Sequence, residues 1–209
     1  MSAARLNADR YPERLESVVS SYRRCFVITG PPGSGKTPLI EKLVASGFTG
    51  VPEPARAVLA EQRAVAGQAT YDRDPQLFFD LLLARSLRDV VQHADTEKAV
   101  FFDRALPDLI GYAGLFGLDP APAQAAAARY RYHHVVFVLP AWPEIYLTDD
   151  ERRMSFRDAA AFGDQLRDIY EELGYVLVEV PRAPVGERAA FVIRAVSELF
   201  DPSPAAPGG

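Results

Sequence analysis

Cys25-Phe26-Val27-Ile28-Thr29-Gly30-Pro31-Pro32-Gly33-Ser34-Gly35-Lys36-Thr37 is the stretch on which the fold turns. Its first five residues form a short apolar run closed by a glycine, the pattern of a strand buried on both faces. After Thr37, residues Leu39, Ile40, Leu43 and Val44 recur at helical spacing until Gly47, which predicts a helix from Gly35 to about Ser46. Between strand and helix, three glycines let the chain turn so tightly that successive amide N–H groups converge on one point. The positive end of the helix dipole aims at the same point, so the loop suits a polyphosphate.

Gly30, Gly35, Lys36 and Thr37 also satisfy the Walker A spacing, a glycine, four residues, then Gly-Lys-Ser/Thr. A chance match in a chain of this length is about a one-in-a-hundred event, and the flanking strand and helix lower it further. The whole loop, Gly30, Pro31, Pro32, Gly33, Ser34, Gly35, Lys36 and Thr37, is therefore assigned to ATP. Lys36 reaches the β and γ oxygens, and the Thr37 hydroxyl ligates magnesium. Pro38 falls in the first helical turn, where a missing N–H costs little.

Outward from this loop, strands and helices alternate. Weaker strand signals at Phe48 to Glu53 precede a helix over Ala55 to Ala66, and a longer helix runs from Pro75 to about Ala94. Lys98 to Phe102 and His134 to Leu139 read as strands, with helices at Leu106 to Phe116 and Pro122 to Tyr132 between them. A helix over Asp158 to Leu173, a strand over Tyr175 to Val180 and a helix from Val185 to Phe200 complete the pattern. Alternation of this kind predicts an α/β P-loop fold, a five-stranded parallel sheet with helices on both faces. Residues 1–24 read as an N-terminal arm or helix, 25–200 as the kinase-like domain, about 141–157 as a small helical lid, and 201–209 as a disordered tail.

In open α/β sheets ligands gather beyond the carboxyl ends of the strands, so acids placed there are candidates for chemistry. Glu53 closes the second strand and Asp103 the third. Phosphoryl transfer to a hydroxyl needs a carboxylate to take the proton and an acid near the metal, so Glu53 is assigned as base and Asp103 as a magnesium residue. In the lid, Arg152, Arg153 and Arg157 lie beside Asp149, Asp150 and Glu151, and a helix would put Arg153 and Arg157 on one face. A lid arginine closing on the phosphates neutralises charge that builds during transfer, whereas a surface run of mixed charge would pair with itself. Trp142 and Tyr146 either pack the lid hinge or stack on a ligand, and Pro181 to Arg188 follow the last strand where adenine loops occur.

Glu53-Pro54-Ala55-Arg56, Phe101-Phe102-Asp103-Arg104 with Asp108 four residues on, Trp142-Pro143-Glu144-Ile145-Tyr146 and Asp150-Glu151-Arg152-Arg153 occur in that order. The set resembles a bacterial group of AAA-type or NadR-like ATPases over about residues 25 to 195, and more distantly the deoxynucleoside and nicotinamide riboside kinases. By that resemblance Glu53 would take the acceptor's proton, Arg56 and Arg104 would steady acceptor or phosphate charge, and Asp103 would sit near magnesium. Ala105 stands where those kinases carry serine.

Bulk properties narrow the field. A net charge of -5 and a pI near 5.3 argue against a nucleic-acid coat. Apolar residues at 48% and charged residues at 24% suit a folded globule, and the sequence holds no run of some 20 apolar residues for a membrane helix. The one cysteine, Cys25, reads as a small core residue, and His133 and His134 lack partners at metal-ligand spacing. The expectation is a cytoplasmic monomer or homodimer that moves the ATP γ-phosphate to a small hydroxylated acceptor, with nucleosides among the candidates. The alternative is a nucleotide-switched ATPase or interaction module without such an acceptor.

Overall fold

The structure, a computed structural model, describes residues 24–146 and 154–200. Five strands form one sheet: β1 (Cys25–Thr29), β2 (Thr49–Val51), β3 (Val100–Asp103), β4 (Val135–Val138) and β5 (Val176–Glu179). All pairings are parallel, in the spatial order β2-β3-β1-β4-β5. Seven α-helices connect them: α1 (Lys36–Ala45), α2 (Pro54–Ala64), α3 (Pro75–Gln92), α4 (Leu106–Phe116), α5 (Ala121–Arg129), α6 (Phe156–Glu172) and α7 (Val185–Phe200). β1 has the bounds read from the sequence, and the other strand ends differ from that reading by one or two residues. One departure matters for the site, because β2 stops at Val51 and leaves Glu53 outside it as the residue before α2.

Side chains alternate across β1, which sorts the core into two layers. Cys25 and Val27 pack with α2, α3, α4 and α5, while Phe26 and Ile28 pack with α1 and α7. Continuing the alternation sends Thr29 toward α4 and, on β3, sends Asp103 toward α1. Register brings these two ends level, since Ile28 pairs with Asp103. Phe26, Phe101 and Phe137 anchor the second layer at ring separations of 5.8 and 6.1 Å, each burying side-chain area that stabilises by about 1.5–3 kcal/mol. The helix α6 lies over α4, with Gly111 placed so that Leu166 and Phe162 approach its backbone.

Cys25 is fully buried, its thiol directed at the His93 carbonyl at 3.4 Å, and burial pushes it up to about 12. It is therefore expected to resist thiol reagents at pH 8, reacting in the native protein about 10²-fold or more slowly than in denaturant. Comparable release of a chromogenic thiolate in both states would refute this placement.

Candidate functional site

Beyond the carboxyl ends of β1 and β3 the backbone builds a pocket of donors. Gly33 and Gly35 adopt φ of 75° and 83°, the left-handed region that glycine enters without strain. Both are also crowded. A β-carbon on Gly33 would stand 2.6 Å from the Tyr146 ring, and one on Gly35 would stand 2.8 Å from an Arg188 nitrogen. The α1 helix starts directly from this loop with no side-chain cap, so its first amides remain available to an anion. Ser34 Oγ is buried without a hydrogen-bond partner. Lys36 Nζ folds back onto the loop, donating to the Gly30 and Pro31 carbonyls at 3.0 and 2.8 Å.

Thr37 Oγ1 donates to Asp103 Oδ2 at 3.2 Å, linking the first turn of α1 to the end of β3. Asp103 Oδ1 is buried and lacks a partner. A hydroxyl and a buried carboxylate with an unused oxygen are hard donors of the kind magnesium prefers, and magnesium takes its remaining ligands from water and phosphate. The residues present fit that ion. No cluster of three or more His, Cys, Asp or Glu side chains occurs among the described residues, so a closed all-protein cage is not available there. Burial pushes the Asp103 carboxyl above its ordinary range despite the attraction of Lys36.

A second cluster adjoins the first. Glu53 precedes α2 but does not cap it; its carboxylate turns instead to Arg104 and Tyr112. Arg104 Nε lies 2.9 Å from Glu53 Oε1, an ion pair whose N–H is not aligned for a hydrogen bond, while the Tyr112 hydroxyl donates to the same oxygen at 2.9 Å. Burial alone would raise the Glu53 carboxyl, but Arg104, Lys36 and the Tyr112 bond hold it below the usual glutamate value. Arg104 Nη1 donates to Asp108 Oδ1 at 3.0 Å. Asp108, fully buried, also accepts from Thr29 Oγ1 at 2.6 Å, the Ala105 amide at 2.9 Å and the Tyr170 hydroxyl at 2.6 Å. One carboxylate thereby joins β1, α4 and α6. Arg104 has φ of 66°, a conformation costly for a residue with a β-carbon, and such strain persists where surrounding bonds over-determine it.

Although adjacent in the chain, Asp103 and Arg104 take different partners: Asp103 meets Thr37, and Arg104 meets Glu53 and Asp108. Arg56 is exposed in the first turn of α2, and Arg157 is exposed in the first turn of α6. Arg152 and Arg153 lie outside the described residues. Ser155 caps α6 by accepting from the Asp158 amide at 3.1 Å, so that helix begins at Phe156, and the expected pairing of Arg153 with Arg157 on one face lies outside the described residues. The Tyr146 hydroxyl donates to the Met154 carbonyl at 2.6 Å, and its ring meets Phe156 edge-on at 5.3 Å.

A family model described as an AAA domain matches residues 25–188, more than half of the chain. The chain belongs to that AAA-domain family. Among solved structures, NadR protein in complex with NR is similar at a TM-score of 0.65 and 19% identity, covering 95% of this chain and 56% of that one. NadR protein in complex with NAD and AMP-PNP gives a TM-score of 0.57 at 17% identity, covering 95% and 54%. Thymidylate kinase from Ehrlichia chaffeensis gives a TM-score of 0.54 at 17% identity, covering 85% and 99%. The AAA-domain chain thus spans little more than half of the NadR chains, and at these identities the likeness is one of fold, the P-loop α/β fold. No curated protein matches it. No described helix is long and apolar enough to cross a membrane.

Two residues of this AAA-domain chain escaped individual assignment from sequence. Asp108 had been quoted only as a letter of a motif. Arg188, last residue of the family match, is 6% exposed and donates to the Ser34 and Gly35 carbonyls at 3.4 and 3.3 Å, with Trp142 5.6 Å away. It sits 153 residues from Gly35, and only its place after the last strand hinted at the loop it braces.

Proposed function

We propose that this chain is an ATP- and magnesium-dependent phosphotransferase that moves the γ-phosphoryl group of ATP to the hydroxyl of a small acceptor. The observation that carries the reading is the adjacency of two clusters: Lys36 and the Thr37–Asp103 pair on one side, and an ionised Glu53 facing a cleft on the other, near enough that Lys36 and Glu53 shift each other's ionisation. That cleft is lined by Glu53, Arg104, Asp108, Tyr112, Ser86 and Leu82, among others.

In the proposed reaction the acceptor oxygen bonds to the γ-phosphorus as the bond to the β-γ bridging oxygen breaks, ADP departs, and the acceptor's proton passes to a Glu53 carboxylate oxygen. Loop amides and Lys36 hold the phosphates in line. Thr37 and Asp103 would hold magnesium, which when bound neutralises charge on the β and γ oxygens. Direct support would come from a screen of alcohols, nucleosides included, for ATP-dependent mass gain of one phosphoryl group. Failure of the intact protein to take up magnesium ATP in a calorimeter would remove the reading at its root.

Lys36 supplies a sharper expectation. Burial, with repulsion from Arg104, lowers its ammonium to about 7 despite attraction from Asp103, Glu53 and Asp108. A triphosphate beside it raises that value again, so the bound state holds the proton more tightly than the free state. Below pH 7 both states are charged and affinity is independent of this group. Above pH 7 binding must take up a proton, and affinity falls by up to about tenfold per pH unit. Calorimetry at pH 8 in buffers of different ionisation heat should show uptake of a proton; buffer-independent heats would contradict it.

A further inference from the structure

The cleft beside Glu53 holds a charge pattern that sorts acceptors. Two carboxylates, Glu53 and Asp108, face one guanidinium, Arg104, and the other lining residues are uncharged. Arg104 is 6% exposed and ion-paired to Asp108 at 3.0 Å and to Glu53 at 2.9 Å, with its guanidinium 5.5 Å from the centre of the Tyr112 ring and 5.9 Å from that of Phe162.

Resting on the phosphotransferase reading, we propose that the acceptor is a non-anionic alcohol, uncharged or cationic, and that this cleft excludes phosphomonoesters. A phosphate entering there would meet a net negative wall. To be neutralised it would have to draw Arg104 away, leaving Asp108 a buried carboxylate without its cation, an exchange that costs more than a new pair returns. The backbone opposes the same move, because Arg104 is fixed in its left-handed turn with its amide bonded to the Ile28 carbonyl at 3.1 Å. Arg56 does not line the cleft and stands in solvent, where a single exposed guanidinium attracts an anion only weakly. Lys36 is turned to the triphosphate loop and donates to its carbonyls.

Volume makes no such selection. The free space is about 10 Å³, room for one water, so an acceptor of either kind enters only as the lining residues move apart. An alcohol instead meets groups already suited to it, a Glu53 oxygen that accepts its proton and the Tyr112 and Ser86 hydroxyls that exchange hydrogen bonds.

The test uses the full chain saturated with magnesium and AMP-PNP, so that the triphosphate loop is filled, labelled with nitrogen-15 at arginine, and titrated with inorganic phosphate. In the natural protein the Arg104 Nε–H resonance should show no saturable shift in the millimolar range. In Glu53→Gln the wall loses one negative charge, Arg104 loses one partner, and phosphate should bind at least about tenfold more tightly. A saturable shift in the natural protein, or no gain in the variant, overturns the proposal. Paired assays with nucleosides and their monophosphates add a second arm, in which phosphorylation of a monophosphate also overturns it. Should no acceptor of any kind be phosphorylated, the transferase reading fails by itself, and the phosphate titration still decides the character of the cleft.

Discussion

Glu53→Gln is expected to reduce phosphoryl transfer by about 10²- to 10⁴-fold while leaving magnesium ATP affinity nearly unchanged. The substitution keeps the shape of the side chain and an oxygen for the Tyr112 hydroxyl, now 2.9 Å away. It removes the charge that accepts the acceptor's proton and the charge that faces Arg104. Because Glu53 lies outside the triphosphate loop and precedes α2, nucleotide contacts should survive. Single-turnover rates with a phosphorylatable acceptor, set beside nucleotide titrations, separate the two quantities. Near-native turnover would eliminate Glu53 as base without touching the assignment of Lys36.

Asp108→Ala should destabilise the protein by about 3–5 kcal/mol, the usual cost of stripping one partner from a buried ion pair. Four donors lose their acceptor at once: Arg104 Nη1, Thr29 Oγ1, the Ala105 amide and the Tyr170 hydroxyl. For a domain of this size such a loss lowers the melting temperature by about 6–20 °C. Asp108→Asn should cost less, since its one oxygen still accepts while its amide group faces donors. A melting temperature within a degree or two of the natural protein for the alanine variant would mean that this network does not hold the layers together.

The sequence carried the fold because the deciding signals are local. An apolar pentapeptide, a glycine loop and a helical stripe sit within some twenty residues, and β3 and β4 repeat the same short buried pattern. The boundary at β2 went astray because Phe48 to Glu53 is extended and apolar in part while only Thr49–Val51 finds ladder partners, and pairing is a tertiary fact. Lys36 and Thr37 were legible as letters of the glycine loop, and Glu53 and Asp103 as acids after or at the end of a strand. Their partners were not. Tyr112 meets Glu53 across 59 positions, Tyr170 meets Asp108 across 62, and nothing in the local sequence announces either. Arg104 shows the limit most clearly. It pairs with two carboxylates of the protein itself, and that pairing depends on a backbone conformation that spacing does not reveal.

Tyr146 clasps Met154 and Phe156 across the seven residues 147–153. A clasp of this kind fixes the take-off and landing points of whatever chain runs between them, so the entropy of joining those points is met by the body of the protein. The position is thus suited to grafting: insertions between 147 and 153 should preserve the melting temperature, provided that Tyr146 is kept.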